Sequence, residues 1–218
     1  YVIATGVNAA YQNTGANVTA SGYLAAYQNT GVNVTASGYQ AAYENGFNQV
    51  YDANGDPTKG LNVTASGVNA AYRNEGNSVT ASGRSAAQAN TGANVTALGF
   101  NAGIGNTESN VVILGNSDVD YVRSDGTYAT LSDVAIKENI EPISYGIDAV
   151  CDINPVEYDL IRNGTHKIGF IAQELEQIIP EVIHGEDGSK SVAYASLVPV
   201  LVKAIQDLKA EIEELKAS

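Results

Sequence analysis

The chain has 218 residues, enough for one or two domains, and its 24 acidic against 11 basic side chains give a formal net charge of −13. This charge excludes the basic surface that nucleic-acid binding requires, and no stretch approaches the roughly 18 apolar residues of a membrane span. We therefore expect neither nucleic-acid binding nor membrane insertion. Because the sequence contains no methionine and starts with Tyr1, we expect it to be a fragment of a longer protein.

The composition of the chain changes near residue 130. Residues 1–131 contain 12 charged side chains and ten of the 13 tyrosines, whereas residues 132–218 contain 23 charged side chains. Two differently built halves therefore meet close to this position.

The first half is built from a repeat whose blocks read Val-Thr-Ala-Ser-Gly or a looser version of it. The glycines that end these blocks are Gly6, Gly22, Gly38, Gly67, Gly83, Gly99 and Gly115. Their spacing is 16 residues except for one step of 29, which indicates a 13-residue insertion near 46–60 with a turn at Asn54–Pro57. A fixed period with small residues, Gly and Asn predicts a β-solenoid with 16-residue coils.

Within each coil we expect Val and Ala to point inward and Thr and Ser outward, since successive strand residues face opposite sides. Asparagine recurs in one register, at Asn13, Asn29, Asn45, Asn74, Asn90 and Asn106. Stacked asparagines can form side-chain ladders between coils. The sequence Asn17-Val-Thr and its copies also match a glycosylation signal, and we favour ladders because the repeat already accounts for the asparagines.

The interior of such a coil is small. Val and Ala bury little apolar area at about 25 cal/mol per Å², which is weak compensation for the entropy lost on ordering the coil, so we expect an oligomer. The Tyr-x-Ala-Ala-Tyr units, such as Tyr23 with Tyr27, would form two columns of rings. We expect one column to pack between chains; the alternative is that both lie on the surface and bind a ligand.

Ser132 and Lys137 are the candidate reactive residues of the second half. One interpretation is a capped helical turn, with Ser132 as the N-cap and Asp133 in an acidic first turn. The other is a Ser–Lys dyad, in which a neutral lysine activates the serine hydroxyl as a nucleophile. Residues five apart on an α-helix point about 140° from each other. For a dyad, Ser132 must therefore precede the helix, or Lys137 must come from another chain.

Two further motifs and a heptad pattern follow. Gly169-Phe-Ile-Ala-Gln-Glu174 precedes an amphipathic run that ends at Pro180, and Val-Ala-Tyr-Ala-Ser-Leu begins at Val192. Apolar residues then recur at steps of 4, 3, 4 and 3, at Leu201, Ile205, Leu208, Ile212 and Leu215. This spacing predicts a coiled-coil helix over about 197–218, and the alternative is a helix that packs on its own domain.

These motifs resemble two known families. The Asn-Val-Thr-Ala-Ser-Gly blocks are similar to the head repeats of trimeric autotransporter adhesins and to related phage tail-fibre repeats, which form trimeric β-rolls. The segment Ser132-Asp-Val-Ala-Ile-Lys137-Glu-Asn-Ile, together with the motifs at Gly169 and Val192, resembles the intramolecular chaperone domain of phage tail fibres and tailspikes, peptidase family S74. That resemblance covers nearly all of residues 124–218.

The chaperone resemblance implies a domain that trimerises, assists folding of the upstream fibre and then cleaves itself off. Carried over to this sequence, it makes Ser132 the nucleophile, Lys137 its base and Leu131–Ser132 the cleavage site. The family usually has arginine three residues after the serine, where this chain has Ala135. It also implies a location in the virion, after assembly in the host cytoplasm and release of the chaperone domain.

We therefore predict a mainly β trimeric shaft over 1–116, a junction over 117–131 and an α+β chaperone domain over 132–218 that ends in a trimeric coiled coil. We predict a homotrimer, no cofactor and no metal site, with a host-surface receptor or glycan as candidate partner of the shaft. The alternative is a trimeric adhesin or receptor-binding fibre whose carboxyl-terminal domain trimerises without cleaving. A hydrolase that uses Ser132 and Lys137 on other proteins is disfavoured, because a dyad fused to its own substrate rarely needs another.

Overall fold

The computed structural model describes residues 1–48, 50–55 and 57–217, and the chain forms two compact units, Tyr1–Thr127 and Tyr128–Ser218. Within the described residues, the first unit is a parallel β-solenoid of seven strands. The strands are β1 (Val2–Thr5), β2 (Val18–Ser21), β3 (Val34–Ser37), β4 (Val63–Ser66), β5 (Val79–Ser82), β6 (Val95–Leu98) and β7 (Val111–Leu114). The predicted solenoid is confirmed, whereas the domain bounds given above stay a prediction.

Consecutive strands of the solenoid pair in register, so each repeat position stacks on its own copy. Val18 lies beside Val34, and Val34 lies beside Val63 across the insertion. In β2 to β5 the Val and Ala side chains are buried and the Thr and Ser side chains are exposed, which confirms the predicted alternation. Gly22, after β2, has a φ of 132°, and a Cβ there would overlap the carbonyl of Gly38 in the next coil.

The opposite arm of each coil has a backbone that the sequence pattern did not predict. Non-glycine residues with positive φ alternate along it, for example Leu24 (54°), Ala26 (51°) and Gln28 (49°). Each costs about 1–2 kcal/mol by itself. Their N–H groups bond to neighbouring coils, from Ala26 to the Ala41 carbonyl and from Gln28 to the Tyr11 carbonyl, both at 2.8 Å. This arm is therefore stable only as part of a stack of coils.

Two asparagine ladders run along the solenoid, which confirms the ladder interpretation. The inner ladder consists of Asn13, Asn29, Asn45, Asn74, Asn90 and Asn106, and all but the first and the last of these are buried. Its pattern is clear at Asn74, whose amide nitrogen donates to Asn45 Oδ1 at 2.9 Å and to the Gly76 carbonyl at 2.7 Å. The second, exposed ladder joins Asn17 to Asn33 at 3.0 Å and Asn33 to Asn62 at 2.8 Å.

Tyrosine rings stack along the solenoid in two columns. One column consists of Tyr11, Tyr27, Tyr43 and Tyr72, with neighbouring ring centroids 4.9–5.5 Å apart. In the other, Tyr23 and Tyr39 stack at 5.3 Å, and both remain exposed. Because neighbouring rings cover each other's faces, the columns offer mainly ring edges and hydroxyl groups to their surroundings. Packing of one column between chains stays a prediction.

The described parts of the predicted insertion come together near Val50 and Thr58. The Thr58 N–H donates to the Val50 carbonyl at 2.9 Å. The turn predicted at Asn54–Pro57 contains Asp56, which lies outside the described residues. At the start of this turn, the Asn54 N–H donates a hydrogen bond to Asp52 Oδ1 at 2.8 Å. The insertion therefore leaves the coil and returns to it without disturbing the register of the strands.

The second unit is a small α+β fold, as predicted. Its elements are the 3₁₀ helix Val134–Ile136, α1 (Ile147–Asp152), β8 (Val156–Asp159), β9 (His166–Gly169), α2 (Ala172–Glu176), the 3₁₀ helix Pro180–Val182, β10 (Ile183–His184), β11 (Ser191–Val192), the 3₁₀ helix Tyr194–Leu197 and α3 (Val198–Ala217). β8 pairs with β9 and β10 with β11, both antiparallel. The buried core consists of Leu175, Ile179, Val182, Leu197 and Val200.

Helix α3 packs on its own unit through one face. Val200 and Ala204 are buried there, and Lys203 pairs with Asp207. The Asp207 carboxylate also accepts the Ile147 N–H at 3.3 Å, at the start of α1, where a negative charge favours the helix. The hydrogen bond from Lys203 lowers the pKa of Asp207. One polar cluster thereby joins the two helices.

The other face of α3, here called the heptad face, is exposed. Its residues are Leu201, Ile205, Leu208, Ile212 and Leu215. The predicted helix is present except that Ser218 lies outside the described residues. Since the face that packs on the unit is a different one, the single chain leaves the heptad face uncovered.

Candidate functional site

A single turn of 3₁₀ helix, Val134–Ile136, follows the predicted cleavage position. Its N-cap is Asp133, whose carboxylate accepts the Ala135 N–H at 2.8 Å. The prediction that Ser132 is the N-cap is therefore wrong by one residue. Ser132 lies one residue before the cap, and its hydroxyl accepts a hydrogen bond from Lys137 instead of capping the turn.

Ser132 and Lys137 meet within one chain. Lys137 Nζ donates to Ser132 Oγ at 2.7 Å. The contact forms because the turn is short and the residues at its two ends are extended, Asp133 with φ −65° and ψ 143° and Lys137 with φ −123° and ψ 142°. Of the two arrangements that the spacing allowed, the chain has the one in which the serine precedes the helix.

The pair lies on an exposed stretch of chain. Ser132 and Lys137 are both exposed, and Leu131 exposes 77% of its surface. Residues 119–133 form neither helix nor strand, and the turn has no buried residue. The peptide bond between Leu131 and Ser132 is therefore open to a nucleophile and to water.

The chemistry of the pair depends on the protonation of the lysine. In the observed contact an amine N–H donates to the serine oxygen, whereas nucleophilic attack requires a neutral amine that accepts the serine proton. Withdrawal from water is the usual way in which proteins favour the neutral amine of lysine. The single chain thus brings the two groups together but leaves them in contact with solvent.

The two downstream motifs meet beside the core of the second unit. The Tyr194 hydroxyl accepts the Phe170 N–H at 3.3 Å, and the two rings stack with centroids 5.7 Å apart. A Cβ on Gly169 would overlap the Tyr194 hydroxyl, so a larger residue there would have to displace the tyrosine ring. Sequence reasoning recognised both motifs but missed this contact, because nothing in their spacing indicates that they touch.

An apolar cavity of about 320 Å³ adjoins this contact. Its lining includes Val150, Ile153, Phe170, Tyr194 and Leu201. Leu201 is also the first residue of the heptad face, so the cavity borders that face.

Within residues 1–48, 50–55 and 57–217, no group of three or more His, Cys, Asp or Glu side chains is arranged to hold a metal ion. No helix in those ranges combines the length and the hydrophobicity that crossing a membrane requires.

The turn lies at the start of a region that matches a known family. Residues 132–184 match the family model of peptidase S74, described as chaperone of endosialidase. The chain is similar to long tail fiber protein Gp37 of Enterobacteria phage K3, at 31% identity over 96 residues, 39% of this chain and 8% of that protein. Gp37 of Enterobacteria phage Ox2 is 31% identical over 113 residues, 47% of this chain and 42% of that protein. The chain thus spans less than half the length of these relatives.

The solenoid fold and the matches together indicate a tail-fibre chain with a domain of the chaperone-of-endosialidase family. The family recognised from the motifs is confirmed: residues 132–184 carry the chaperone-of-endosialidase domain of peptidase family S74. The similarity to phage long tail fiber proteins supports a phage tail fibre with this domain at its carboxyl-terminal side.

Proposed function

We propose that the second unit trimerises the fibre during assembly and then cleaves its own chain between Leu131 and Ser132. Ser132 acts as the nucleophile and Lys137 as the base. The observation that carries this proposal is the 2.7 Å contact between Lys137 Nζ and Ser132 Oγ beside an exposed peptide bond. A match to the peptidase S74 model that begins at Ser132 supports it.

Cleavage takes place in two balanced steps. First, neutral Lys137 accepts the Oγ proton while Oγ attacks the carbonyl carbon of Leu131. The carbon–nitrogen bond then breaks, the proton passes to the freed amine of Ser132, and an ester joins Leu131 to the serine oxygen. Second, water attacks the ester carbon and displaces Oγ. The products are a carboxylate on Leu131 and a new amino terminus at Ser132.

Trimerisation completes this site in our proposal. A lysine in water is protonated near neutral pH, and desolvation favours its neutral form. The dyad and the heptad face are both exposed in the single chain. When three chains pack through the heptad face and the adjoining cavity, they withdraw the dyad from water, so the cut follows assembly.

Intact-mass analysis of freshly made protein tests the cleavage. The wild-type chain should yield residues 1–131 and 132–218, whereas Ser132→Ala and Lys137→Ala should stay whole. Ser124→Ala, which changes another exposed serine of the same stretch, should cut as the wild type does. Hydroxylamine present during the reaction should trap the ester as a hydroxamate on Leu131, a product that direct hydrolysis by water cannot give.

A wild-type trimer that stays whole would exclude the protease and leave the chaperone. Ala135→Arg would then show whether the missing arginine is the cause. Ala135 is exposed, so a longer side chain has room there.

The second candidate function is a receptor-binding fibre whose chaperone domain trimerises without cutting. Exposed aromatic side chains on the first unit favour it, namely Tyr23, Tyr39, Phe47 and Tyr51. Its partner would be a host-surface receptor or glycan. If this function is correct, binding to host cells falls in the Phe47→Ser and Tyr51→Ser variants. Wild-type protein that stays uncut would make receptor binding the better explanation of the two.

We propose that the fibre is a virion component, because the relatives are phage long tail fiber proteins. Assembly takes place in the host cytoplasm, and cleavage releases residues 132–218 from the finished fibre. Mass spectrometry of purified particles and of the host lysate checks this, since the released piece should occur only in the lysate.

A further inference from the structure

We infer that Asp133 is a positioning residue for cleavage, because its side chain fastens the turn that brings Lys137 to Ser132. The inference rests on the proposed self-cleavage and adds a third residue to it. This role does not require contact between Asp133 and the scissile carbonyl. It acts through the shape of the backbone between the two dyad residues.

Hydrogen bonds, and not burial, maintain this turn. None of the three residues Val134–Ile136 is buried, so the core of the unit does not hold them. Two backbone bonds close the turn, from Ile136 to the Asp133 carbonyl at 3.3 Å and from Lys137 to the Val134 carbonyl at 3.1 Å. A single isolated turn is unfavourable, because two hydrogen bonds compensate poorly for the entropy of ordering it.

The Asp133 side chain supplies a hydrogen bond that is shorter than both backbone bonds of the turn. Its Oδ1 accepts the Ala135 N–H at 2.8 Å, one of the N–H groups that has no partner inside a helix at its start. An N-cap of this kind contributes about 1 kcal/mol to helix stability, roughly a fivefold change in the equilibrium constant for forming the turn. Because an isolated turn is the minor state, its population changes by nearly the same factor as this equilibrium constant, and that population sets how often Lys137 reaches Ser132.

Loss of the turn would separate the dyad. Five residues in an extended chain span about 17 Å between their Cα atoms, far beyond hydrogen-bond reach. A chain that frays at Asp133 therefore spends less time with Nζ beside Oγ, and the cleavage rate falls in proportion.

The cap and the charge of Asp133 can be separated by substitution. Asparagine has the same shape, caps as well as aspartate and accepts the same hydrogen bond, but it carries no charge. Alanine removes both the acceptor and the charge. If Asp133 acts by capping, Asp133→Asn keeps the cleavage rate and its pH profile, and Asp133→Ala does not keep the rate.

The test is a time course of intact mass for the full wild-type chain, Asp133→Ala and Asp133→Asn. We expect Asp133→Ala to cut about fivefold more slowly and Asp133→Asn to stay within twofold of the wild type with an unchanged pH profile. Asp133→Ala at the wild-type rate would overturn the inference. Asp133→Asn as slow as Asp133→Ala would also overturn it, because the charge and not the cap would then matter.

A wild-type chain that does not cut would overturn the proposed self-cleavage. A second readout then tests the positioning role of Asp133 separately. In uncut protein, nuclear Overhauser contacts between the side-chain protons of Lys137 and Ser132 report the dyad directly. These contacts should weaken in Asp133→Ala and persist in Asp133→Asn. Contacts that are equally strong in all three proteins would overturn the positioning role by themselves.

Discussion

Ser78 interrupts the exposed asparagine ladder of the solenoid. The corresponding residues Asn17, Asn33 and Asn62 have φ between 55° and 59°, a region that asparagine adopts more readily than most residues. Ser78 has the same backbone, with φ 56°, but its short hydroxyl replaces the amide that would continue the ladder. The position therefore combines backbone strain with a missing side-chain hydrogen bond.

Replacement of Ser78 by asparagine should stabilise the solenoid. We expect Ser78→Asn to raise the free energy of unfolding by about 0.5–1 kcal/mol, since it relieves strain and adds one amide hydrogen bond. Denaturant unfolding of the full chain measures the change. Ser82→Asn is the matched control, because Ser82 is an exposed strand residue of the same coil. An equal gain at Ser82 would show that asparagine helps for a general reason.

The contact between Gly169 and Tyr194 makes a second prediction for single residues. Gly169→Ala should lower the free energy of unfolding by about 1–3 kcal/mol, because the new methyl group overlaps the Tyr194 hydroxyl. Tyr194→Phe removes that hydroxyl and, with it, the 3.3 Å bond from the Phe170 N–H. The double variant should therefore lose less than the sum of the single variants.

Chemical denaturation of the four proteins in this cycle gives the coupling energy. Gly126→Ala serves as control, since a methyl group there meets only the Ser124 hydroxyl, at an ordinary 3.6 Å. Strict additivity of the two changes would mean that the glycine is present for another reason.

At the scale of elements, the repeat made the strands predictable and left other features hidden. The alternation of Val and Ala inward follows from a period that is visible in the sequence. The positive φ angles in the opposite arm of each coil were not predicted, because Leu24, Ala26 and Gln28 carry no sequence signal for them. Only hydrogen bonds from neighbouring coils impose this backbone. Stacking energy between coils thus overrides local preference.

The same limit applies to the candidate site. The i+5 spacing left two options, a serine before the helix or a lysine from another chain, and the single chain has the first. The cap fell on Asp133 because helix boundaries can be placed only to within a residue or two. The contact between the motifs at Gly169 and Tyr194 depends on tertiary packing and has no local signal.

The two faces of helix α3 have different roles. Val200 and Ala204 anchor it to its own unit, and Asp207 ties it to the start of α1. The heptad face is therefore not needed for the fold of the single chain. An exposed apolar stripe on an anchored helix is a surface prepared for association.

At the scale of the whole molecule, the proposed function makes cleavage depend on assembly. The second unit can fold around its own core while the heptad face and the dyad both remain exposed. If the dyad becomes competent only when chains associate, each fibre keeps its chaperone until it has trimerised. A cut that did not depend on association would release the chaperone too early.

The variant Ile205→Asp with Ile212→Asp tests this dependence. Both side chains are exposed, by 67% and 42%, so the charges should leave each unit folded while three apolar seams can no longer pack together. We expect light scattering to show single chains and intact mass to show cleavage slowed at least tenfold. Ala210→Asp adds a charge at an exposed position outside the heptad face and should leave both the trimer and the cut unchanged. Single chains that cut at the wild-type rate would show that the dyad works without its neighbours, in which case the exposed pair of Ser132 and Lys137 is already a complete site.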